Sequence, residues 1–158
     1  MLVKLKYLLL LVAIPFCYCS SVNTKGTNAH ATQSKVTKLE MFLNAFGVES
    51  GGFPTINATI DFVADSGICN VSYYEPWLKE KKYSFSKDEI DIVRSLLATE
   101  DLRKVKREYN KGSTDQPTSL TTIYTLQDTI RIKDYGLIAE YPMQDLYRIV
   151  YDLKKNFR

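Results

Sequence analysis

Residues 55–63 constrain the fold most, because their apolar and polar side chains alternate. The apolar positions are Ile56, Ala58, Ile60 and Phe62, and the polar positions between them are Asn57, Thr59 and Asp61. A period of two places one set of side chains on each face of a β-strand. We therefore predict a strand in a sheet that has its core on one face.

Two hairpins are predicted around turn residues. Residues 64–67 (Ala-Asp-Ser-Gly) have turn chemistry, and they precede a return strand predicted over residues 68–74. The arms of the second hairpin, residues 121–126 and 129–133, are rich in β-branched residues and flank Gln127 and Asp128. Hairpins imply antiparallel pairing.

Two helices are predicted as well. Ser86 and Glu89 have the spacing of a capping box and precede the first helix. After Pro142 a second helix is expected, with an apolar stripe of Met143, Leu146, Val150, Leu153 and Phe157. With a first strand over residues 36–46 and shorter strands near residues 82–85 and 105–109, the pattern predicts an α+β fold. We expect an antiparallel sheet of about five or six strands with two helices packed on one face.

The N-terminus has the pattern of an export signal. Lys4 and Lys6 precede an apolar run over residues 8–16, and small residues follow it. The run is about half the length that a membrane-spanning helix needs. We predict an export signal at residues 1–19, a flexible linker at 20–35 and a single domain at 36–158.

Two processing routes are consistent with this segment. Cleavage after Cys19 or Ser21 would release a soluble product. A lipid on Cys17 or Cys19 would instead anchor it, as in bacterial lipoproteins. Both routes predict a protein of the periplasm, the cell envelope or the exterior, which meets a membrane only through the leader or a lipid anchor.

Composition excludes several function classes. The net charge is +3, and the leader contributes Lys4 and Lys6, so the domain is close to neutral and no nucleic-acid partner is expected. His30 is the sole histidine and precedes the domain, so no Ser-His-Asp set can form. We expect no metal and no cofactor, because no motif for either is present. Cys69 is interpreted as a packed strand residue.

Aromatic residues gather after the predicted return strand. Tyr73, Tyr74 and Trp77 could stack on a sugar ring or anchor a protein partner. The alternative is that Tyr73 and Trp77 pack under the first helix, and the sequence favours this alternative.

Acidic residues near the first hairpin are candidates for acid–base chemistry. Asp61 and Asp65 flank the turn, and Glu75 follows the return strand. A hydrolase would need two of them to converge in a cleft, at about 5–10 Å. Their turn and outward positions favour a solvated surface instead.

A basic cluster follows the first helix. It consists of Arg103, Lys104, Lys106, Arg107 and Lys111, and it is interrupted by Glu100, Asp101 and Glu108. This alternation of charge is typical of a solvated face.

Several short anchors carry a resemblance. They are Phe53-Pro54 before the first alternating strand, Tyr-Ser-Phe-Ser at 83–86, Asp-Gln-Pro-Thr at 115–118 after Tyr109, and Pro142. In these anchors and in the order of elements, residues 39–157 resemble an uncharacterised family of small exported bacterial domains. The resemblance implies the same fold and no assigned activity. Many members carry a Cys-x-Gly-x-Cys-Pro motif where this chain has Gly51-Gly52-Phe53-Pro54, so it implies no redox or metal role.

These patterns favour an exported, non-catalytic domain that binds an unknown protein or glycan. A carboxylate-dependent hydrolase and a glycan-binding module are the alternatives.

Overall fold

A computed structural model describes residues 35–44, 52–99 and 101–152 of the chain. The strands in this part are β1 (Val36–Asn44), β2 (Thr55–Asp61), β3 (Ser66–Ser72), β4 (Lys81–Ser84), β5 (Glu108–Asn110), β6 (Thr118–Thr125) and β7 (Thr129–Tyr135). The helices are α1 (Lys87–Thr99) and α2 (Met143–Leu146), and a π-helical turn (Tyr147–Tyr151) continues α2. The predicted export signal and most of the predicted linker lie outside the described residues.

The described strands form one mixed sheet in the order β4-β3-β2-β1-β6-β7-β5. All neighbours are antiparallel except β5, which runs parallel to β7. An α+β fold is confirmed, and the short strands predicted near residues 82–85 and 105–109 are present as β4 and β5. Two predicted details of the sheet are wrong: it is mixed and not antiparallel, and the described residues form seven strands and not five or six. The edge strands β4 and β5 have four and three residues. Strands this short are defined by their backbone pairing, since they hold too few residues to show a side-chain period.

The sheet buries one face and leaves the other open. The buried positions of the four central strands alternate along each of them: Leu39, Met41 and Leu43 in β1, Ile56, Ala58 and Ile60 in β2, Cys69 and Val71 in β3, and Ser119, Thr121 and Ile123 in β6. Helix α1 buries Ile90, Val93 and Leu97 in the same core cluster. The alternation seen in residues 55–63 is therefore realised as a strand with one buried face.

The turn of the first hairpin falls slightly earlier than predicted. The Asp61 carboxylate accepts hydrogen bonds from the backbone N–H groups of Val63 and Ala64, at 2.8 and 2.9 Å. These bonds reverse the chain over residues 62–65, with Asp65 at a φ of 48°. Ser66 and Gly67, predicted as turn residues, already pair with Asp61 and Ile60.

The capping box of α1 is confirmed. Glu89 Oε2 accepts a hydrogen bond from the Ser86 backbone N–H at 2.7 Å, and Ser86 Oγ accepts one from the Glu89 N–H at 3.3 Å. The two residues thus satisfy each other's free donors at the start of the helix.

The C-terminal segment departs from the predicted regular helix. It is α-helical only over Met143–Leu146, widens to a π-helical turn, and reaches a left-handed residue at Asp152, with a φ of 39°. In the widened turn the Tyr147 and Tyr151 rings stack at 5.5 Å between centroids, and both hydroxyls bond to side chains of the sheet. The apolar stripe in the sequence does not indicate these polar contacts. Leu153 and Phe157, which the prediction included, lie outside the described residues.

At position 67 the Phe85 ring occupies the space that a side chain would need, so only glycine fits there without displacement. A Cβ at position 67 would lie 2.8 Å from Phe85 Cδ2 and 3.1 Å from Ile60 Cγ1. We predict that Gly67→Ala lowers the free energy of unfolding by about 1–3 kcal/mol through overpacking, measured by urea denaturation.

The same substitution in a Phe85→Leu background is the control. Without the ring, Gly67→Ala should lower the free energy of unfolding much less, so the effects of the two substitutions should be non-additive. An equal cost in both backgrounds would contradict this explanation.

Candidate functional site

The loop between β3 and β4 presents aromatic rings to solvent. Tyr74 is 85% exposed and Trp77 is 73% exposed, whereas Tyr73 is partly buried and packs against the core. The interpretation that Trp77 packs under the first helix is therefore wrong, while Tyr73 does pack inward. A turn closed by the Leu78 N–H on the Glu75 carbonyl, at 3.1 Å, lies within this loop.

Charged residues lie close to these two rings in the sequence. Lys79, Glu80, Lys81 and Lys82 are all exposed, and Glu75 is half-buried. Exposed aromatic residues within a rim of mixed charge are typical of the centre of a protein interface. We call residues 73–80 the aromatic loop.

The three candidate acids do not come together. β3 spans seven residues, so Asp61, beside its first residue, lies roughly 20 Å from Glu75, which follows its last residue. Asp65 forms an ion pair with Arg94. The backbone hydrogen bonds from Ala64 and Val63 hold the pKa of Asp61 below its usual value. Asp61 and Asp65 thus have structural partners in the hairpin.

Cys69 is fully buried in β3. Burial raises the pKa of its thiol, and burial also raises the pKa of the neighbouring Tyr83. A thiol with a raised pKa is a poor nucleophile, in agreement with the interpretation of Cys69 as a packed residue. Cys17, Cys19 and His30 lie outside the described residues.

A polar cluster lies within the buried core between the sheet and the C-terminal segment. The Asp134 carboxylate accepts hydrogen bonds from the N–H groups of Ile138 and Ala139, at 3.0 and 2.8 Å, and from the Tyr147 hydroxyl at 3.1 Å. Ser119 Oγ and Tyr151 Oη lie 2.6 Å apart. Burial raises the pKa of both Tyr147 and Tyr151, so both phenols stay protonated at neutral pH. The cluster therefore fixes the chain after β7 onto the sheet.

The open face of the sheet carries a small apolar centre. Phe42 lies opposite Leu120 on one side and Asn57 on the other. Next to them Glu40 accepts a hydrogen bond from Tyr124 at 2.8 Å and pairs with Lys38 at 2.6 Å. The hydrogen bonds from Lys38 and Tyr124 hold the pKa of Glu40 below its usual value. The depression here has a volume of about 380 Å³.

A larger cleft lies at the β5 edge, and sequence reasoning missed it. Two segments form its walls, residues 101–109 and residues 138–142, and its volume is about 550 Å³. Tyr109 and Tyr141 line it together with charged residues of both signs. The basic cluster is exposed, as predicted for a solvated face, and it contributes Lys104 and Lys106 to the first wall. The second wall follows β7 and carries no recognisable motif.

Two kinds of feature are absent from the described ranges. No group of three or more His, Cys, Asp or Glu side chains among them could hold a metal ion. Within the same residues, no helix has the length and apolar character that a membrane span requires.

Comparisons with known proteins give no match: no family model, no curated protein and no solved structure is significantly similar to this chain. The resemblance to small exported bacterial domains therefore stays a prediction.

We predict that Asp134→Ala lowers the free energy of unfolding by about 3 kcal/mol, because the buried Ala139 N–H and the buried Tyr147 hydroxyl lose their acceptor. Chemical denaturation measures this change. Asp145→Ala is the matched control, since Asp145 pairs only with Arg148 at the surface in the described residues. Its expected cost is below about 1 kcal/mol. Equal costs for the two variants would contradict a structural role for the buried carboxylate.

Proposed function

We propose that this chain is an exported domain that binds another protein through its aromatic loop. The observation that carries the proposal is the exposure of Tyr74 and Trp77 within one loop, at 85% and 73%. Export rests on the N-terminal sequence pattern, with Lys4 and Lys6 before the apolar run.

Exposed aromatic rings of this kind favour association. A Trp or Tyr side chain gains about 2–3 kcal/mol when a partner removes its apolar surface from water. Tryptophan and tyrosine are also the residues most often found to dominate the energy of protein interfaces. The aromatic loop offers both within four residues of sequence.

The surrounding charges favour a protein over a nucleic acid or a bare anionic surface. Lys79, Lys81 and Lys82 are accompanied by Glu75 and Glu80, so the rim contains both signs. The carboxylates would repel a polyanion, whereas a protein surface can place an opposite charge next to each lysine and each glutamate.

The aromatic loop also supplies its own reporter. Trp77 is the sole tryptophan of the chain, so its fluorescence reads this loop alone. Acrylamide should quench this fluorescence efficiently in the free protein, and a bound partner should protect it.

The test is quantitative capture of proteins from an envelope extract by the full chain and by its variants. We predict that Trp77→Ala weakens binding of a captured protein by about 30-fold, because truncation of a central aromatic residue costs about 2 kcal/mol or more. Tyr74→Ala should weaken the same interaction. Tyr141→Ala is the control, since it removes an exposed tyrosine at the opposite sheet edge.

Three outcomes would overturn the proposal. The first is that every captured protein binds Trp77→Ala as tightly as the unmodified chain. The second is that Tyr141→Ala has the same effect as Trp77→Ala. The third is that the material that protects Trp77 survives protease treatment and is removed by glycosidases, which would assign the aromatic loop to a glycan.

A further inference from the structure

The cleft at the β5 edge is independent of the aromatic loop. The loop leaves β3 next to one edge strand of the sheet, whereas the cleft lies beside β5 at the other edge. Neighbouring strands are about 4.8 Å apart, so several strand spacings separate the two surfaces. A function of the cleft does not depend on the function proposed above.

Both walls of the cleft are held in place by hydrogen bonds. In the first wall the Lys104 N–H donates to the Asp101 carbonyl at 2.8 Å, and the Arg107 guanidinium donates to the Leu102 carbonyl at 3.1 Å. The second wall begins where the buried Asp134 carboxylate accepts the N–H groups of residues 138 and 139. A site with fixed walls loses little conformational entropy when a ligand binds.

Two tyrosine rings offer apolar surfaces inside these walls. Tyr141 is 52% exposed, and its hydroxyl lies 3.2 Å from Thr99 Oγ1, so the ring is oriented although its surface is open. Tyr109 packs partly against the core, and Lys106 Nζ lies 5.4 Å from the centre of its ring. Ile138, which is 40% exposed, adds apolar surface next to them.

The charges around the cleft are balanced. Asp101 and Glu140 lie in the lining with Lys104 and Lys106. Asp101 Oδ1 binds Arg103 at 2.9 Å, and Asp101 Oδ2 lies 3.7 Å from Lys104 Nζ. An anionic ligand would meet the carboxylates, and a cationic ligand would meet the ammonium groups. A purely apolar ligand would displace water from the carboxylates and from the ammonium groups without replacing the lost hydrogen bonds.

We propose that this cleft binds a neutral saccharide. A pyranose ring has an apolar face that can lie on the open Tyr141 ring. Its hydroxyls can donate to Glu140 and accept from Lys104 or Lys106. The volume of about 550 Å³ lies within the range of small-molecule sites, which is about 300–1,000 Å³.

Tyr109 keeps its hydrogen-bonding form across the physiological range. Burial and the nearby Glu140 charge raise the pKa of Tyr109. Its phenol is therefore protonated at neutral pH, and binding should not change between about pH 6 and 8 through this group.

The experiment is a titration of the full chain with trisaccharides, followed by isothermal calorimetry and by amide chemical shifts. The neutral probes are maltotriose, cellotriose, N,N′,N″-triacetylchitotriose and mannotriose. The charged counterparts are trigalacturonic acid and the trimer of glucosamine. We expect at least one neutral probe to bind tighter than both charged probes, with shifts centred on residues 101–109 and 138–142.

Variants locate the site. Tyr141→Ala should weaken the binding of that neutral probe by about 5- to 10-fold, which is the effect expected for one lost ring contact. Thr99→Val keeps the Tyr141 ring but removes its hydroxyl partner, and should weaken binding by about two- to threefold. Leu126→Ala is the control, because it removes an exposed apolar side chain that lies outside both the cleft lining and the aromatic loop, and it should leave binding unchanged. Far-ultraviolet circular dichroism confirms that each variant is folded.

Any of three results overturns the proposal. They are no binding of any neutral probe at about 10 mM, tighter binding of a charged probe, and an equal loss of affinity in Leu126→Ala and Tyr141→Ala. Loss of protein capture in Trp77→Ala has no bearing on these results, so the two proposals fail separately.

Discussion

One-sided burial of the sheet is the constraint on which the rest of the structure depends. The central strands alternate between residues that are removed from water and residues that face it, as Leu39, Met41 and Leu43 do in β1. Such a sheet needs a cover on its apolar face only. In the described residues α1 and the C-terminal segment provide apolar side chains to that core, and the opposite face stays open.

Polar contacts determine where the C-terminal part of this cover lies. Asp134 and Ser119 are buried residues on the core face of β7 and β6, and they bind Tyr147 and Tyr151. The same Asp134 carboxylate binds the chain at residues 138 and 139. One buried side chain thus orients both the cover of the core and the wall that carries Tyr141. The fold and the cleft at the β5 edge are coupled through this residue.

Local sequence rules predicted what local interactions determine. The alternation at residues 55–63, the paired arms around Gln127 and Asp128, and the capping box of Ser86 and Glu89 each depend on neighbours within a few residues. Short strands were predicted near both edge strands, but the bounds of β4 and β5 and the parallel direction of β5 depend on pairing with distant backbone and were not predicted. The π-helical turn depends on hydroxyl partners in β6 and β7, which the apolar stripe of Met143 and Leu146 does not encode.

The candidate sites show the same division. Tyr74 and Trp77 were recognised as candidates from the local concentration of aromatic residues. Their exposure depends on the path of a loop, and the favoured interpretation had Trp77 packed under the first helix. The cleft required two segments about 30 residues apart in sequence to meet, one of them read as a solvated basic face. Nothing in the sequence indicates that Lys104 and Lys106 share a cleft with Glu140 and Tyr141.

Thermal unfolding of two neighbouring substitutions in β2 tests one-sided burial most directly. Asn57 is exposed on the open face and Ala58 is 1% exposed on the core face. We predict that Asn57→Asp keeps a cooperative transition within about 5 °C of the unmodified chain. Ala58→Asp should abolish that transition, because it places an uncompensated carboxylate in the core. Cooperative unfolding of Ala58→Asp at the same temperature as Asn57→Asp would contradict the account.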